Sequence, residues 1–402
     1  MFKSYKSLVM VLSIFFLIGT FNVAQGKGLP KDVDKWLKEN KIGPYTEDKV
    51  DYEALYQAAK KEGKIVVYAS SSRGPKSLAL GWYEKYPGIK VEWNTLGTSG
   101  SISRVIKEQK AGIHAVDVVF CSDFPTQVNV MHPANMIFPW VPPDLKEVIP
   151  RKFRDPLLAH KLTAMTLFYN LHTWPDKPPV ESWWDITKPE WRGRLVVQDP
   201  RTKTSCLQFF ITIVLNAEEM AKDYERVFGR PLTLTTPNAG YEWIKMLFDN
   251  EPKLVRADKE ARYIGKPGQP KPSLGVSWDF ARITDTGNPK YGNIQLSPHV
   301  TLKPRMGMLY PTPLNIAFKA PHPNAAKLLV RWLLGDEKGG AGNAPWFTPA
   351  NLPTRSDIKG KAPHPFVPKL SWQLKDLNFW FMDARGIWKN QSDVLDFINK
   401  QL

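Results

Sequence analysis

Between Lys64 and Asp123 the chain runs strand, loop, helix, strand, loop, helix, strand, loop, and this alternation constrains the fold more than any other feature. Lys64-Ile65-Val66-Val67-Tyr68-Ala69 is a short continuous apolar run, the pattern of a strand buried on both faces. It ends in Ser70-Ser71-Ser72-Arg73-Gly74-Pro75. A helix is predicted from Pro75 to Tyr86, with proline in its first turn and Pro87-Gly88 as its stop. Ile89 to Trp93 alternates apolar and polar residues and leads to Leu96-Gly97-Thr98-Ser99-Gly100. Ile102, Val105 and Ile106 then mark one helix face closed by Gly112, and Val116 to Phe120 forms a third strand running into Cys121-Ser122-Asp123. A βαβαβ order predicts a parallel sheet in which the loops at the carboxyl ends of the strands lie side by side and form a ligand crevice.

The rest of the chain extends this α/β reading into two lobes. After the Pro-rich stretch Phe138 to Pro143, Leu162 to Asn170 is predicted as a strand crossing into a second lobe. That lobe has its own strand-to-helix passage: Arg194 to Gln198, a loop holding Arg201, Thr202, Lys203, Thr204 and Ser205, and an apolar helix from Cys206 to Leu215. Ile244, Leu247 and Phe248 mark another amphipathic helix, and Leu274 to Asp279 a short strand that delivers side chains to an edge. The chain returns through Gly307 to Phe318 into a helix with Ala325, Leu328, Leu329, Trp332 and Leu333 at helical spacing. Two crossings imply central mixed sheets joined by two extended hinge segments. The expected division is an extension at 27–62 with one helix near Tyr52 to Lys60, a discontinuous lobe 1 at 63–165 and 312–402, and lobe 2 at 166–311. Trp372, Trp380 and Trp388 are expected to pack C-terminal helices back onto lobe 1.

At the N-terminus, Lys3 and Lys6 precede an apolar run, Leu8 to Gly19, too short to span a bilayer comfortably. Ala24 and Gly26 hold the −3 and −1 positions of a cleavage site, so residues 1–26 read as a signal peptide, the mature chain begins near Lys27, and the location is periplasmic. An uncleaved membrane anchor is the alternative. The formal net charge of +16 admits nucleic acid, anionic lipid or an acidic ligand as partner. Lys and Arg are spread without a dense basic run, so nucleic acid is not expected and most of the charge reads as solvated surface.

Cys121 and Cys206 are too few and too far apart for a disulfide framework and are read as buried free thiols, and the seven histidines show no ligand spacing. No cofactor and no metal is therefore expected. No nucleophile with a neighbouring base, GxSxG, P-loop or carboxylate pair suggests an enzyme.

Four loops carry the binding expectation. Ser70, Ser71, Ser72 and Arg73 precede a helix, where backbone N–H groups, hydroxyls and a guanidinium can converge on a carboxylate or phosphate. Thr98 and Ser99 repeat that arrangement, Ser122 and Asp123 close the third loop, and Arg201, Thr204 and Ser205 face them from the other lobe. Such loops also serve as ordinary helix caps and turns, Arg73 can instead pair with a surface acid, and Arg201 and Lys203 can simply be solvated. Trp278 is read either as a stacking platform for a flat or apolar ligand face or as core packing. Asp279 can accept from ligand or form a hinge ion pair, and Tyr310 can offer its hydroxyl to ligand or pack in the hinge. Together these residues suggest a small, anionic organic ligand.

Four phrases carry a family resemblance: Lys64 to Ser71; Glu181-Ser182-Trp183-Trp184-Asp185-Ile186 with Pro189-Glu190-Trp191-Arg192-Gly193-Arg194-Leu195; Ala320-Pro321-His322-Pro323-Asn324-Ala325-Ala326-Lys327-Leu328; and Asn351-Leu352-Pro353-Thr354-Arg355. Over roughly residues 60 to 360 the chain resembles the extracellular solute-binding proteins of ABC transporters, in the type II group that includes ferric-iron, thiamine, phosphonate and polyamine binders. The resemblance implies two α/β lobes that close on ligand like a hinge, a monomer, and delivery to an inner-membrane ABC permease. A sensory subunit without transport is an alternative. Ferric-iron members use adjacent tyrosines at the segment aligning with Gly275 to Arg282. Here it reads Ser277-Trp278-Asp279-Phe280, and Asp279 alone does not supply the hard oxygen set ferric iron needs, which leaves iron as a second alternative.

Overall fold

The computed structural model describes residues 28–256, 261–359, 364 and 373–402; the expected signal peptide and Trp372 lie outside them. Two helices precede the first strand, α1 (Lys31–Asn40) and α2 (Tyr52–Glu62). The Asp51 carboxylate starts α2 by accepting from the N–H groups of Glu53 and Ala54. Helix α1 was not expected, although Val33, Trp36 and Leu37 carry its i, i+3, i+4 stripe. Val33 and Leu37 are buried, and Trp36 meets Phe318 edge-on with ring centres 5.5 Å apart.

The opening alternation folds as β1 (Lys64–Ala69), α3 (Gly74–Leu78), α4 (Trp82–Lys85), β2 (Lys90–Thr95), α5 (Gly97–Lys110), β3 (Val118–Phe120), α6 (Phe124–Thr126) and β4 (Ile137–Phe138). β1 pairs in parallel with β2 and β3, as the βαβαβ pattern requires. The single helix expected from Pro75 to Tyr86 is two short ones, broken at Gly81 with φ +111°. The break turns Trp82 into the core, where its indole donates to the Ile89 carbonyl and its ring stands edge-on to Trp332.

β5 (Ala159–Asn170) crosses to β6 (Leu195–Gln198), α7 (Thr204–Leu215), α8 (Ala217–Phe228), α9 (Ala239–Asp249), β7 (Lys253–Val255), α10 (Ala261–Ile264), β8 (Leu274–Asp279) and β9 (Leu296–Pro298). The chain returns through β10 (Gly307–Ala317) to α11 (Pro323–Leu333), β11 (Leu352–Pro353), β12 (Trp380–Phe381) and α12 (Ala384–Gln401). The strand order is β2-β1-β3-β10-β5-β8-β6-β7. Two parallel groups therefore flank an antiparallel centre, and that centre is the pair of crossings. β10 pairs with β5 from Gly307 to Pro313 and with β3 from Leu314 to Ile316. This is a mixed α/β architecture of two lobes joined by two extended segments, and the expected boundaries at 165/166 and 311/312 fall inside those segments.

The C-terminal stretch departs from expectation. α12 buries Ile387, Val394 and Ile398, packing against α7 and α9 of the second lobe and against α6 of the first. Asn129 donates to the Ala384 carbonyl at 3.0 Å, and the Phe397 ring meets Tyr241 at 4.8 Å. Trp380 is buried, but Trp388 is 42% exposed, because it sits one position beyond Ile387 and about 100° around the helix from the buried stripe.

Candidate functional site

Two adjoining cavities lie where the carboxyl ends of β1 and β3 face those of β6 and β8. The first, about 430 Å³, is lined by Ser70, Ser71, Ser72, Arg73, Ser122, Lys161, Thr163, Lys203, Asp279, Ala281, Arg282, Tyr310, Thr312, Trp346 and Asn351. The second, about 270 Å³, is lined by Thr98, Ser99, Ser122, Asp123, Thr202, Lys203, Thr204, Ser205, Gln208, Asp279 and Tyr310. Ser122, Lys203, Asp279 and Tyr310 border both. A larger hollow of about 580 Å³, between α8 and the 299–304 segment, lies on the second lobe away from these strand ends. Its charges largely neutralise one another, as in Arg226 with Asp223 at 2.7 Å and Lys177 with Glu181 at 2.9 Å.

Neighbouring groups hold the loops in place. The Ser71 carbonyl accepts from the Trp93 indole at 2.8 Å, and its hydroxyl accepts from the Trp346 indole and the Arg73 N–H, both at 3.3 Å. Thr98 and Ser122 hydroxyls lie 3.2 Å apart. Asp123 Oδ1 accepts from the Thr126 N–H at 3.4 Å and from Gln208 Nε2 at 3.3 Å, so a carboxylate of the first lobe touches a helix of the second. Burial raises the Asp123 pKa. Asp279 accepts from the Tyr310 hydroxyl and from the Ala281 N–H, each at 2.7 Å.

Four cations border the first cavity. Lys161 Nζ donates to Asn351 Oδ1 at 2.6 Å, and burial pushes its pKa down to about 8, with Asp279 opposing the shift and Arg73 adding to it. Burial also lowers Arg73, again with Asp279 opposing and Arg282 adding. Arg282 Nη1 meets Asp285 at 3.1 Å while its Nε lacks a hydrogen-bond partner, as does the buried hydroxyl of Thr312. Such groups cost free energy until an acceptor or donor reaches them.

Twelve of the fourteen expected residues line these cavities: Ser70, Ser71, Ser72, Arg73, Thr98, Ser99, Ser122, Asp123, Thr204, Ser205, Asp279 and Tyr310. Arg201 does not. Its Nε and Nη2 fork onto Asp199 at 2.8 Å each, a carboxylate two residues away that captures the guanidinium locally, and Lys203 supplies the charge instead.

Trp278 takes the second of its two readings, core packing. It is fully buried and donates to the Val196 carbonyl at 3.0 Å. The cause is a bulge. Gly275 pairs with Phe168 and Trp278 with Thr166, so Val276 and Ser277 oppose Leu167 alone, and Ser277 takes φ +57°. The extra residue reverses the alternation, swinging Trp278 over Gly275, where a Cβ would stand only 2.7 Å from the Trp278 ring.

Lys161, Thr163, Thr312, Trp346, Asn351, Gln208 and Arg282 were not anticipated. Lys161 carried a signal, being the one formally charged residue of the crossing strand β5. Asn351 lay within a phrase read only as a fold marker. The cysteines are free and buried; burial raises Cys206 to about 12, and its sulfur lies 2.8 Å from the Ser277 hydroxyl.

A family described as bacterial extracellular solute-binding protein matches residues 139–366. No curated protein matches the sequence. Among solved structures, apo ferric ion-binding protein A from Pasteurella haemolytica aligns with a TM-score of 0.61 at 17% identity, covering 84% of this chain and 98% of its own. Iron-bound HitA from Pseudomonas aeruginosa aligns at 0.60 with 14% identity, covering 84% and 99%. The periplasmic binding protein AfuA from Actinobacillus pleuropneumoniae, with exogenous fructose-6-phosphate bound, aligns at 0.57 with 17% identity, covering 84% and 97%.

Proposed function

The chain belongs to the bacterial extracellular solute-binding protein family, and from that premise we propose that it captures a small organic anion between its lobes and hands it to an inner-membrane ABC permease. The observation that carries the anionic reading is the convergence of Arg73, Lys161, Lys203 and Arg282 on one cavity that, among the described residues, holds a single carboxylate, Asp279. Cations that have lost part of their hydration attract an anion more strongly than the same cations in water. Ser70, Ser71 and Ser72 add donors on the same wall, an arrangement suited to carboxylate or phosphoryl oxygens. The structural likeness to a sugar-phosphate-bound neighbour is consistent with such a ligand.

In this reading the protein is a monomeric, non-catalytic receptor working in the periplasm after loss of residues 1–26. Lobe 1 comprises 63–165 and 312–402, lobe 2 comprises 166–311, and closure about β5 and β10 traps the ligand. The test is a thermal-shift screen of the mature chain against carboxylates, phosphate esters, phosphonates, amines and ferric iron. A ligand at 100 times its Kd adds about 2.7 kcal/mol of stability. Shifts from anions, abolished by Arg73→Ala, support the reading; a shift from ferric iron or amines alone overturns it.

A further inference from the structure

The two adjoining cavities differ in charge and in chemistry. The first is bordered by four cations against Asp279. The second shares Lys203 but holds two carboxylates, Asp123 and Asp279, and its remaining wall is hydroxyls and an amide: Thr98, Ser99, Thr202, Thr204, Ser205 and Gln208. Resting on the anionic reading of the cleft, we infer that the ligand is bipartite, a small polyhydroxylated molecule whose single terminal phosphoryl-type group enters the first cavity while its hydroxylated body fills the second.

Three observations support that orientation. First, two residues that border the first cavity each carry a buried polar atom without a hydrogen-bond partner, the Thr312 hydroxyl and Arg282 Nε, and the latter as a donor is satisfied only by an acceptor oxygen. Second, the first cavity sets four cations against one carboxylate and the second one cation against two, Asp123 being the added one, so a terminal anion is favoured in the first. Third, a wall of hydroxyls and an amide both donates and accepts, which matches sugar-like hydroxyls, and Asp123 retains acceptor capacity beyond the bonds from Thr126 and Gln208. An ammonium tail is disfavoured because Thr98 and Ser99 of α5, and Thr204 and Ser205 of α7, bring the positive ends of two helices to this cavity.

Calorimetry on the mature chain tests this with five probes: inorganic phosphate, glycerol 3-phosphate, a hexose 6-phosphate, the unphosphorylated hexose and 2-aminoethylphosphonate. The hexose phosphate is expected to bind at least about a hundredfold more tightly than inorganic phosphate, with the free hexose undetectable and glycerol 3-phosphate between. Asp123→Asn, which keeps an acceptor for the Thr126 N–H, is expected to weaken hexose phosphate by about tenfold and leave inorganic phosphate unchanged. Thr98→Val gives the same selective loss should Asp123→Asn destabilise the fold. Arg73→Gln is expected to weaken both. Equal binding of inorganic and hexose phosphate, or tightest binding of the aminophosphonate, overturns the bipartite assignment while leaving the anionic reading standing. No binding of any phosphoryl probe, together with binding of another class in the wider screen, overturns both.

Discussion

Tyr310 donates a hydrogen bond to Asp279 at 2.7 Å, and among the described residues the carboxylate it holds is the only one bordering the cation-rich cavity. Asp279 thus acts as an internal counter-ion, raising the pKa values of Lys161 and Arg73 against the effect of burial. An anionic ligand competes with it for the same cations. Asp279→Asn keeps an acceptor for Tyr310 and Ala281 but removes the competing charge. Affinity for an anion is expected to rise about fivefold, near 1 kcal/mol, with the gain shrinking at high salt. Weaker binding in the Asn variant, measured by calorimetry, identifies a cationic ligand instead.

Lys161 gives the cleft a pH dependence. Its pKa in the folded protein is about 8, below the usual lysine range, so the side chain discharges just above neutral pH. An anion binds the charged form better, so affinity is expected to fall as pH rises through 8, by up to about tenfold per unit, one linked proton. Lys161→Met is expected to bind more weakly at pH 7 and to show a flat profile from pH 7 to 9. A flat profile in the unsubstituted protein rules this coupling out.

Much of the cleft was legible because it is built from loops at strand ends. Ser70 to Arg73 and Thr98 to Ser99 each follow a readable strand, and parallel pairing of β1 with its neighbours aligns their ends. What was not legible comes from pairings distant in sequence. Lys161 meets Asn351 across 190 positions, and Thr312 reaches the cavity only through the β10 to β5 register. The two expected residues that stay off the cavities do so for local reasons. Asp199 takes the Arg201 guanidinium before any ligand can, and one extra residue at Ser277 reverses the face of Trp278. Helix α12 escaped a one-lobe reading because its buried stripe does not indicate which helices cover it.

His160 lies buried between Phe120 and Trp346, ring centres at 4.9 and 5.1 Å, and its Nε2 bonds to the Leu333 carbonyl at 2.8 Å. Burial depresses its pKa to about 3. The unfolded chain therefore takes up a proton near pH 6.5 that the folded chain refuses. This contribution to stability is complete above pH 6.5 and is lost as pH falls toward 3, at up to about 1.4 kcal/mol per unit. His160→Gln, which keeps an N–H donor for Leu333, is expected to lower stability at pH 7.5 by about 1–3 kcal/mol and to flatten the slope below pH 6.5 by one proton. Urea unfolding from pH 4 to 7.5 measures both. An unchanged slope means that other histidines carry the acid sensitivity.

The bulge at Ser277 yields a paired prediction that separates packing from recognition. If Trp278 serves the core alone, Trp278→Ala removes a fully buried indole and its bond to Val196, costing about 3–5 kcal/mol of stability. Gly275→Ala inserts a Cβ that would stand 2.7 Å from both Ile264 Cδ1 and Trp278 Cδ1, so either the ring or α10 must shift, at about 1–3 kcal/mol. Because Asp279 follows Trp278 directly, the two variants differ in their effect on the cleft. The alanine at 278 leaves the backbone register intact and is expected to change ligand affinity less than threefold. The alanine at 275 pushes on the bulge that aims Asp279 at the cavity and is expected to disturb both stability and affinity. Denaturant midpoints and calorimetric Kd values on the same samples decide it. A loss of affinity at Trp278→Ala as large as that at Arg73→Ala returns Trp278 to the binding surface and refutes the bulge as the reason for its burial.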